Sequence, residues 1–399
     1  MNKSANNLWH FILEPYGHFK MISPGSKYGR RLIKRLIRSL DNRNKRKYDA
    51  NFFSNIVTGF LRNLCLFALL LSLITLYLYP SQSIAETIRI GLAMPKDMAA
   101  VAYINGMYSL FKEEVEKNSA GELIVQIYYG GVLGKPDERL NQMRRNVIQM
   151  SDASDGNYAT IHRDIQVFSM PYLFPSTEIA LRVLDGPVGT RVAEDMRIKT
   201  GIRVLGWWET AGFKHYSSNT PIYSPVDMKG QKMRVMSAAF SIPVLAMGGA
   251  ATPIPMPELY ISLKTGLVDG QDNAVGVFNM LKLYEVQKYL TLDGHIYGFG
   301  PLGINDKFFN SLSKTKQAII LSAGKKAVHW NRNKSRLQEM EALDVARSKN
   351  VTLISISDDM KKEFSRLSQP VAVSWLQDNI DTPSLIDDVL KEVEVLNKQ

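Results

Sequence analysis

Cysteine is almost absent: the 399 residues contain one, Cys65. It precedes most of an apolar run, so it is not a lipid-attachment site behind such a run. Everything after it lacks disulfide and thiol chemistry, and a chain of this length buries enough surface to need no staples. Histidine is scarce as well. Beyond residue 85 there are only His162, His215, His295 and His329, with no pair at metal-ligand spacing and no cysteine nearby, which argues against a metal site. No G-x-S-x-G nucleophile elbow occurs. The stretch "GFGPLG" (Gly298 to Gly303) has the glycine spacing of a dinucleotide loop, but Pro301 interrupts it and "INDKFF" follows, so it reads as a flexible crossing between lobes. Asp269 and Asp272 in "VDGQDN" read as turn and capping acids beside Gly270. A hydrolase or isomerase therefore has no constellation to stand on, no cofactor is implied, and the chain reads as a non-enzyme.

An excess of one charge sign is also missing from most of the chain. The net charge of +11 is local: residues 1–85 hold 13 Lys and Arg against 3 Asp and Glu, leaving 36 against 35 for the rest. A nucleic-acid partner loses its electrostatic support. The whole chain, 45% hydrophobic and 22% charged, has the composition of a folded globular protein long enough for about two domains.

The basic N-terminal stretch contains "GRRLIKRLIRSLDNRNKRK", then the apolar run Leu64 to Tyr79, then "PSQSIAETIRI" with small residues Ser83 and Ala85. Positive n-region, apolar h-region and small-x-small site are the parts of a secretory signal, and the run is short for a membrane span of about 20 residues. The n-region is far longer than usual. Cleavage near Ala85 would release a periplasmic protein, and an uncleaved anchor would leave the body outside the membrane; both export the remainder.

In the body, "TIRIGLAM" and "LIVQIYYGG" alternate as strands. "YINGMYSLFKEEVEKNSAGE" and "PDERLNQMRRNVIQM" read as amphipathic helices, the first stopped by Gly121 and the second opened by Pro136. That alternation predicts a parallel sheet in an α/β fold. "IRVLGWWE", "FKHYSSN" and "KMRV" continue the strands, while "SAAFSIPVLAMGG" and "PELYISLKTGLVDG" supply helices. From Ser313 to about Asn350 helical periodicity is nearly unbroken, long enough to run across two lobes. "VTLISI" and two closing helices end the chain.

One residue resists this pattern. Arg234 sits between Met233 and Val235 in what reads as a buried strand, where an arginine is costly unless an anion meets its fork of donors. The anion is either a nearby acid of the chain or a ligand. The surrounding motifs decide between the two. "DMKGQKMRV", "TPIPMPELYISLKTGLVDGQDN" and "KLYEVQKYLTLDGH" closely resemble the periplasmic solute-binding receptors of TRAP transporters, the DctP-like family, as do "YYGGVLGKPDERLNQMR", "MPYLF" and "LRVLDGPVG". The resemblance covers Glu86 to Gln399.

It implies a two-lobed periplasmic solute-binding fold of the α/β class, with a ligand cleft between lobes and a long helix spanning both. Residues 86–212 with about 300–340 would form one lobe, and 213–299 with about 341–399 the other. It also implies roles: Arg234 matches the ligand-carboxylate arginine of the family's "RV" strand, and Asn273 the asparagine of its "VDGQEN" turn. Lys214 stands where the family often has a second arginine, keeping the charge without the fork. Met256 replaces a usual aromatic and offers a softer apolar wall. Ala274 replaces the proline of "GQENP". Ser154 falls near the glutamate of sialic-acid-binding relatives, which argues against sialate. Of Trp207 and Trp208, which face opposite ways in a strand, at most one lines the cleft, and Trp208 is the candidate. Asp155 and Asn157 lie in a loop of the ligand-facing kind. The implied partners are a small carboxylate and the small and large membrane subunits of an ion-driven transporter. The competing reading is a membrane-tethered solute-sensing module.

Overall fold

The computed structural model describes residues 85–236 and 238–399, with 10–13, 19–22, 27, 31, 34–35, 58–60, 62–64 and 67 of the N-terminal segment. In that segment His10–Leu13 pairs antiparallel with Phe19–Ile22. Most of the predicted apolar run, with Cys65 and Ser83, lies outside the described residues. Among the described residues no helix is long and apolar enough to cross a membrane.

The alternating runs form β1 (Glu86–Gly91) and β2 (Leu123–Tyr128), parallel as predicted. Between them α1 (Ala102–Asn118) buries Met107, Phe111 and Val115 along one stripe and ends at Ala120 and Gly121, both left-handed. The outermost strand, β2, is shielded by that helix: the Val125 N–H donates to Glu116 Oε1 at 2.8 Å and its carbonyl accepts from Lys112 Nζ at 2.6 Å. The second helix, α2 (Pro136–Arg144), is shorter than the sequence suggests. Asn146 turns the chain left-handed (φ 59°), which frees Met150–Ser151 to enter the sheet as β3.

The chain continues through α3 (Asp155–Tyr158), α4 (Thr177–Leu184) and α5 (Pro187–Thr200) into β4 (Ile202–Ser218). Next come β5 (Lys232–Val235), α6 (Ala238–Ala246), β6 (Ala250–Pro253), α7 (Leu259–Lys264), β7 (Gly270–Asn273) and α8 (Val275–Met280). After β8 (Tyr289–Asn305) follow α9 (Asp306–Ser311), α10 (Lys314–Ser348), β9 (Thr352–Ser355), α11 (Asp358–Asn379) and α12 (Ser384–Asn397). One nine-stranded sheet results, in the order β2-β1-β3-β8-β4-β7-β5-β6 with β9 beside β8. It is mixed rather than parallel, because β8 runs antiparallel to β3 and β4.

Two strands expected at 202–209 and 213–219 are one 17-residue strand, β4, kinked at Ala211 (φ 81°) and Gly212 (φ 78°). Its partner β8 also has 17 residues and contains "GFGPLG". That stretch was expected to be a flexible crossing, but it crosses as a buried, paired strand. Its glycines are there for close approach: a Cβ on Gly300 would lie 2.7 Å from the Trp208 ring, and one on Gly303 2.3 Å from the Tyr158 hydroxyl.

Helix α10 has 35 residues and is capped by Ser313, whose side chain accepts from the Lys316 N–H. At about 1.5 Å per residue it is about 52 Å long. Ile320, Ala323 and Ala327 pack with Ile88, Phe111 and Leu302, while Ala342 and Ala346 pack with Leu259, Phe278 and Leu290. The helix therefore joins two separate apolar cores. The closing helices add Leu376, Leu385 and Val389 to a third core with Phe168, Leu184 and Val192.

Candidate ligand-binding site

Met233 and Val235 enter the core with Tyr216 and Phe364, so strand alternation sends Arg234 to the other face of β5. There it is 1% exposed, and its Nε donates to the Ile254 carbonyl at 2.8 Å. Among the described residues no carboxylate forms an ion pair with its guanidinium. Burial pushes its pKa down, and the field of Asp272 opposes that shift. The register then supplies a neighbour. β7 lies between β4 and β5 and sets Gln271 beside Arg234, with Asn273 two residues on and across from His215. Asn273 Nδ2 donates to Gln271 Oε1, Gln271 Nε2 donates to Ser217 Oγ at 2.8 Å, and Ser217 Oγ donates to Gln287 Oε1 at 3.0 Å. This relay fixes the Asn273 amide in the row next to Arg234.

Lys214, on β4, is half-buried, and its ammonium lies 3.6 Å from the centre of the Phe240 ring. Asp155 opens α3 and is buried. Its carboxylate accepts from Ser169 Oγ at 3.0 Å; burial pushes its pKa up, while the Lys214 ammonium favours the ionised form. Met256 is half-buried on the turn after β6, two residues beyond the Ile254 carbonyl that holds Arg234. Strand pairing sets Asn273 in the row beside Arg234, with Met256 two residues beyond the Ile254 carbonyl, while Lys214 and Asp155 form a second group linked by the field of the ammonium. Trp208 joins neither group: it packs in the core with Leu302 and Phe308, against Gly300. Trp207 lies in another core with Phe168 and Phe299. Asn157 caps its own turn by accepting from the Ser154 N–H at 3.2 Å.

Sequence reading missed an acid-base cluster behind Arg234. Asp269 has the expected turn role, accepting from the Lys232 N–H at 2.8 Å. Asp272 does not. It is a buried strand residue whose two carboxylate oxygens have no hydrogen-bond partner among the described residues. His295 Nε2 lies 3.7 Å from it, an electrostatic contact rather than a hydrogen bond. The His295 ring stacks on Tyr216 at 4.1 Å, and its Nδ1 is 2.8 Å from Asp293 Oδ2. Burial alone would lower the His295 pKa, but Asp293 and Asp272 hold it up at about 9. His215, whose Nδ1 accepts from the Gly294 N–H at 3.1 Å, is pushed down to about 4 by burial. Asp293 therefore faces one charged and one neutral imidazole. The available signal was "LDGH", in which Asp293 and His295 sit two residues apart on a strand.

A further group, His162, Asp164 and Asp195, is close enough to share an ion. Lys199 Nζ already lies 2.8 Å from Asp195 and 3.5 Å from Asp164, and Asp164 Oδ1 accepts the N–H groups of Asp381 and Thr382 at 2.6 and 2.9 Å. Its evident work is to tie down the start of the closing helix.

A buried arginine without an acid partner among the described residues, flanked by an amide in a mixed α/β sheet, has free donors suited to an anion. The sequence profile described as "Bacterial extracellular solute-binding protein, family 7" matches residues 101–378. The chain belongs to this family. The 2,3-diketo-L-gulonate-binding periplasmic protein of Escherichia coli is 29% identical over 257 residues, covering 64% of this chain and 77% of that protein. Among solved structures, a TRAP periplasmic solute-binding protein of Ochrobactrum anthropi, with its C-terminus bound in the ligand pocket, is 29% identical. The match has a TM-score of 0.74 and covers 79% of this chain and 97% of that one. Another, from a Sulfitobacter species with bound β-D-galacturonate, is 27% identical with a TM-score of 0.69, covering 77% and 99%. The two-lobed TRAP solute-binding fold is thus that of this chain, which is a binding protein and not an enzyme.

Proposed function

We propose that this chain is the extracytoplasmic receptor of a TRAP transporter and takes up a small organic acid. Arg234 grips the acid's carboxylate through two parallel hydrogen bonds, and Asn273 completes the clamp. The observation that carries this reading is the nearly complete burial of Arg234 without an acid partner among the described residues. Lys214 adds a second positive charge and Met256 an apolar wall. Closure of the lobes about the β4, β8 and α10 crossings expels water and strengthens the clamp. Sugar acids, named for the Escherichia coli and Sulfitobacter proteins, and dicarboxylates, named for other relatives, are the ligand classes to test first. The N-terminal segment exports the body, and the closed receptor delivers its ligand to the small and large membrane subunits for ion-gradient-driven uptake.

A thermal-shift screen against sugar acids, dicarboxylates, keto acids and amino acids tests this, with Arg234→Ala run beside the wild type. Ligand at 100 times its Kd stabilises by about 2.7 kcal/mol, a rise of about 2–4 °C for a chain of this size. We expect the shift for one acid class and its loss in the variant, since truncating one side of a buried charged pair costs about 2–5 kcal/mol of binding. A shift retained in Arg234→Ala would overturn the clamp.

A further inference from the structure

Helix α10 and strand β4 run side by side where the chain crosses from core to core, and one stripe of the helix faces the strand. Asn331 opens that stripe: its Oδ1 accepts from the Glu209 N–H at 2.8 Å, and its Nδ2 donates to the Glu209 carbonyl at 3.3 Å. Eight residues on, about two turns, Glu339 lies against the kink of β4. A Cβ on Gly212 would come within 2.9 Å of its Oε2 and 3.1 Å of its Cδ. Ala211 and Gly212 both have left-handed backbone there, so the strand changes direction under this one carboxyl group.

Glu339 also has room to leave. It lines two cavities, one of about 290 Å³ with Tyr103, Ala211 and Asn279, the other of about 550 Å³ with Phe213, His215 and Lys361. Among the described residues no hydrogen bond or ion pair ties its carboxyl to either side.

The charge around it is unbalanced. On β4, Glu209 is fully buried; its Oε2 accepts from the Tyr297 hydroxyl at 2.6 Å, and its Oε1 has no partner among the described residues. On α10, Arg332 is committed to Asp185, at 2.6 and 2.8 Å, and to the Trp207 carbonyl, which leaves Arg336 to offset the two acids, with Glu341 nearby. Strand β8 brings Asp293, already held by His295 and Tyr172. Helix α11 brings Asp358, Lys361 and Lys362, the last 2.9 Å from Asp359. Burial and the field of Glu209 push the Glu339 pKa up to about 7, with Arg336 pulling the other way.

We infer that Glu339 is a proton-operated catch on the crossing: neutral, it packs against the Gly212 kink and holds α10 to β4; ionised, it swings toward Lys361 in the larger cavity and releases the kink. The caught form binds the extra proton, so the catch is strongest in acid and weakens as pH climbs from about 4.5 through 7. The inference rests on the proposed function only for its use, which is to make lobe closure about this crossing easier as pH rises.

Amide hydrogen exchange of the ligand-free full chain, corrected for the intrinsic effect of pH, reads the catch at residues 210–214 and 336–342. Neither His215, at about 4, nor His295, at about 9, changes charge between pH 5.5 and 7.5. Over that interval protection at the crossing should fall at least about tenfold in the wild type. Glu339→Gln, neutral at every pH and of the same shape, should be as protected at pH 7.5 as the wild type is at pH 5.5. Wild-type protection that does not change with pH overturns the inference, and that comparison needs no variant. A fall that persists in Glu339→Gln overturns it as well. Because no ligand is present, a chain that binds none of the acids in the screen fails the proposed function and leaves this test standing, while a crossing without a catch leaves the Arg234 clamp standing.

Discussion

Two arginines, Arg139 and Arg234, are each 1% exposed, yet their surroundings differ. Every arm of Arg139 is occupied: Nε donates to Ser151 Oγ at 3.0 Å, and the two terminal nitrogens donate to the Gly134 carbonyl and Asp152 Oδ1, both at 2.6 Å. Arg234 has a carbonyl at Nε and no ion pair with a carboxylate among the described residues. The first is part of the structure, because its charge is neutralised within the fold. The second has no such neutralising acid among the described residues, and under the proposed function it keeps its recognition capacity for a ligand. Burial alone does not distinguish a structural arginine from a binding one; the bookkeeping of its donors does.

Exchanging the two sites is the strongest way to break that comparison. Arg139→Met leaves Asp152 buried and unpaired and should cost about 3–5 kcal/mol of stability, read by urea unfolding. Arg234→Ala should change stability by less than about 1 kcal/mol, because the lost Nε bond is offset by removal of a desolvated charge. If Arg234→Ala unfolds the protein as readily as Arg139→Met does, the distinction fails.

The comparison extends to the two imidazoles around Asp293. His295, raised to about 9, contributes stability that is complete below the unfolded value of about 6.5 and is lost as pH climbs toward 9. His215, depressed to about 4, must take up a proton on unfolding, so stability falls as pH drops from about 6.5 toward 4. Asp293, held low by His295 against the effect of its own burial, adds to the loss in acid. Melting temperature should therefore peak near pH 6.5. His295→Gln should flatten the alkaline limb, worth on the order of 3 kcal/mol, and His215→Asn part of the acid limb. Limbs of unchanged slope in both variants would refute the charge assignment.

The smallest effect concerns the join between the two regions. At Gly212 (φ 78°) a Cβ would meet Glu339 Oε2 at 2.9 Å, so Gly212→Ala should cost about 1–2 kcal/mol of stability. Stability equal to the wild type would show that the kink relaxes freely.

Much of this was legible in the sequence, for identifiable reasons. Arg234 could be picked out because it stands between Met233 and Val235 in a strand-like run and the motifs around it resemble the family's, and α10 because its periodicity runs unbroken to a capped start at Ser313. The Asp272 and His295 contact could not, since it joins residues 23 positions apart through the register of three strands. The glycines of β8 misled for a related reason. A glycine pattern looks the same whether it serves flexibility or close approach, and only the Trp208 and Tyr158 side chains packed against it tell which. Trp208 itself followed the alternation rule and still went into a core, because helices cover that face of the sheet as well.

The β4–β8 ribbon and helix α10 are nearly equal in length, about 55 Å for 17 residues of strand and about 52 Å for the helix. Two struts of matched length, fixed at both ends to solid bodies, behave as a flexure rather than as a ball joint. They yield along one direction and resist twist and shear in the others. Under the proposed function, a receptor built this way would have few ways to be half shut, so each capture would end in the same shape, and a membrane partner could sort loaded from empty molecules by fit alone.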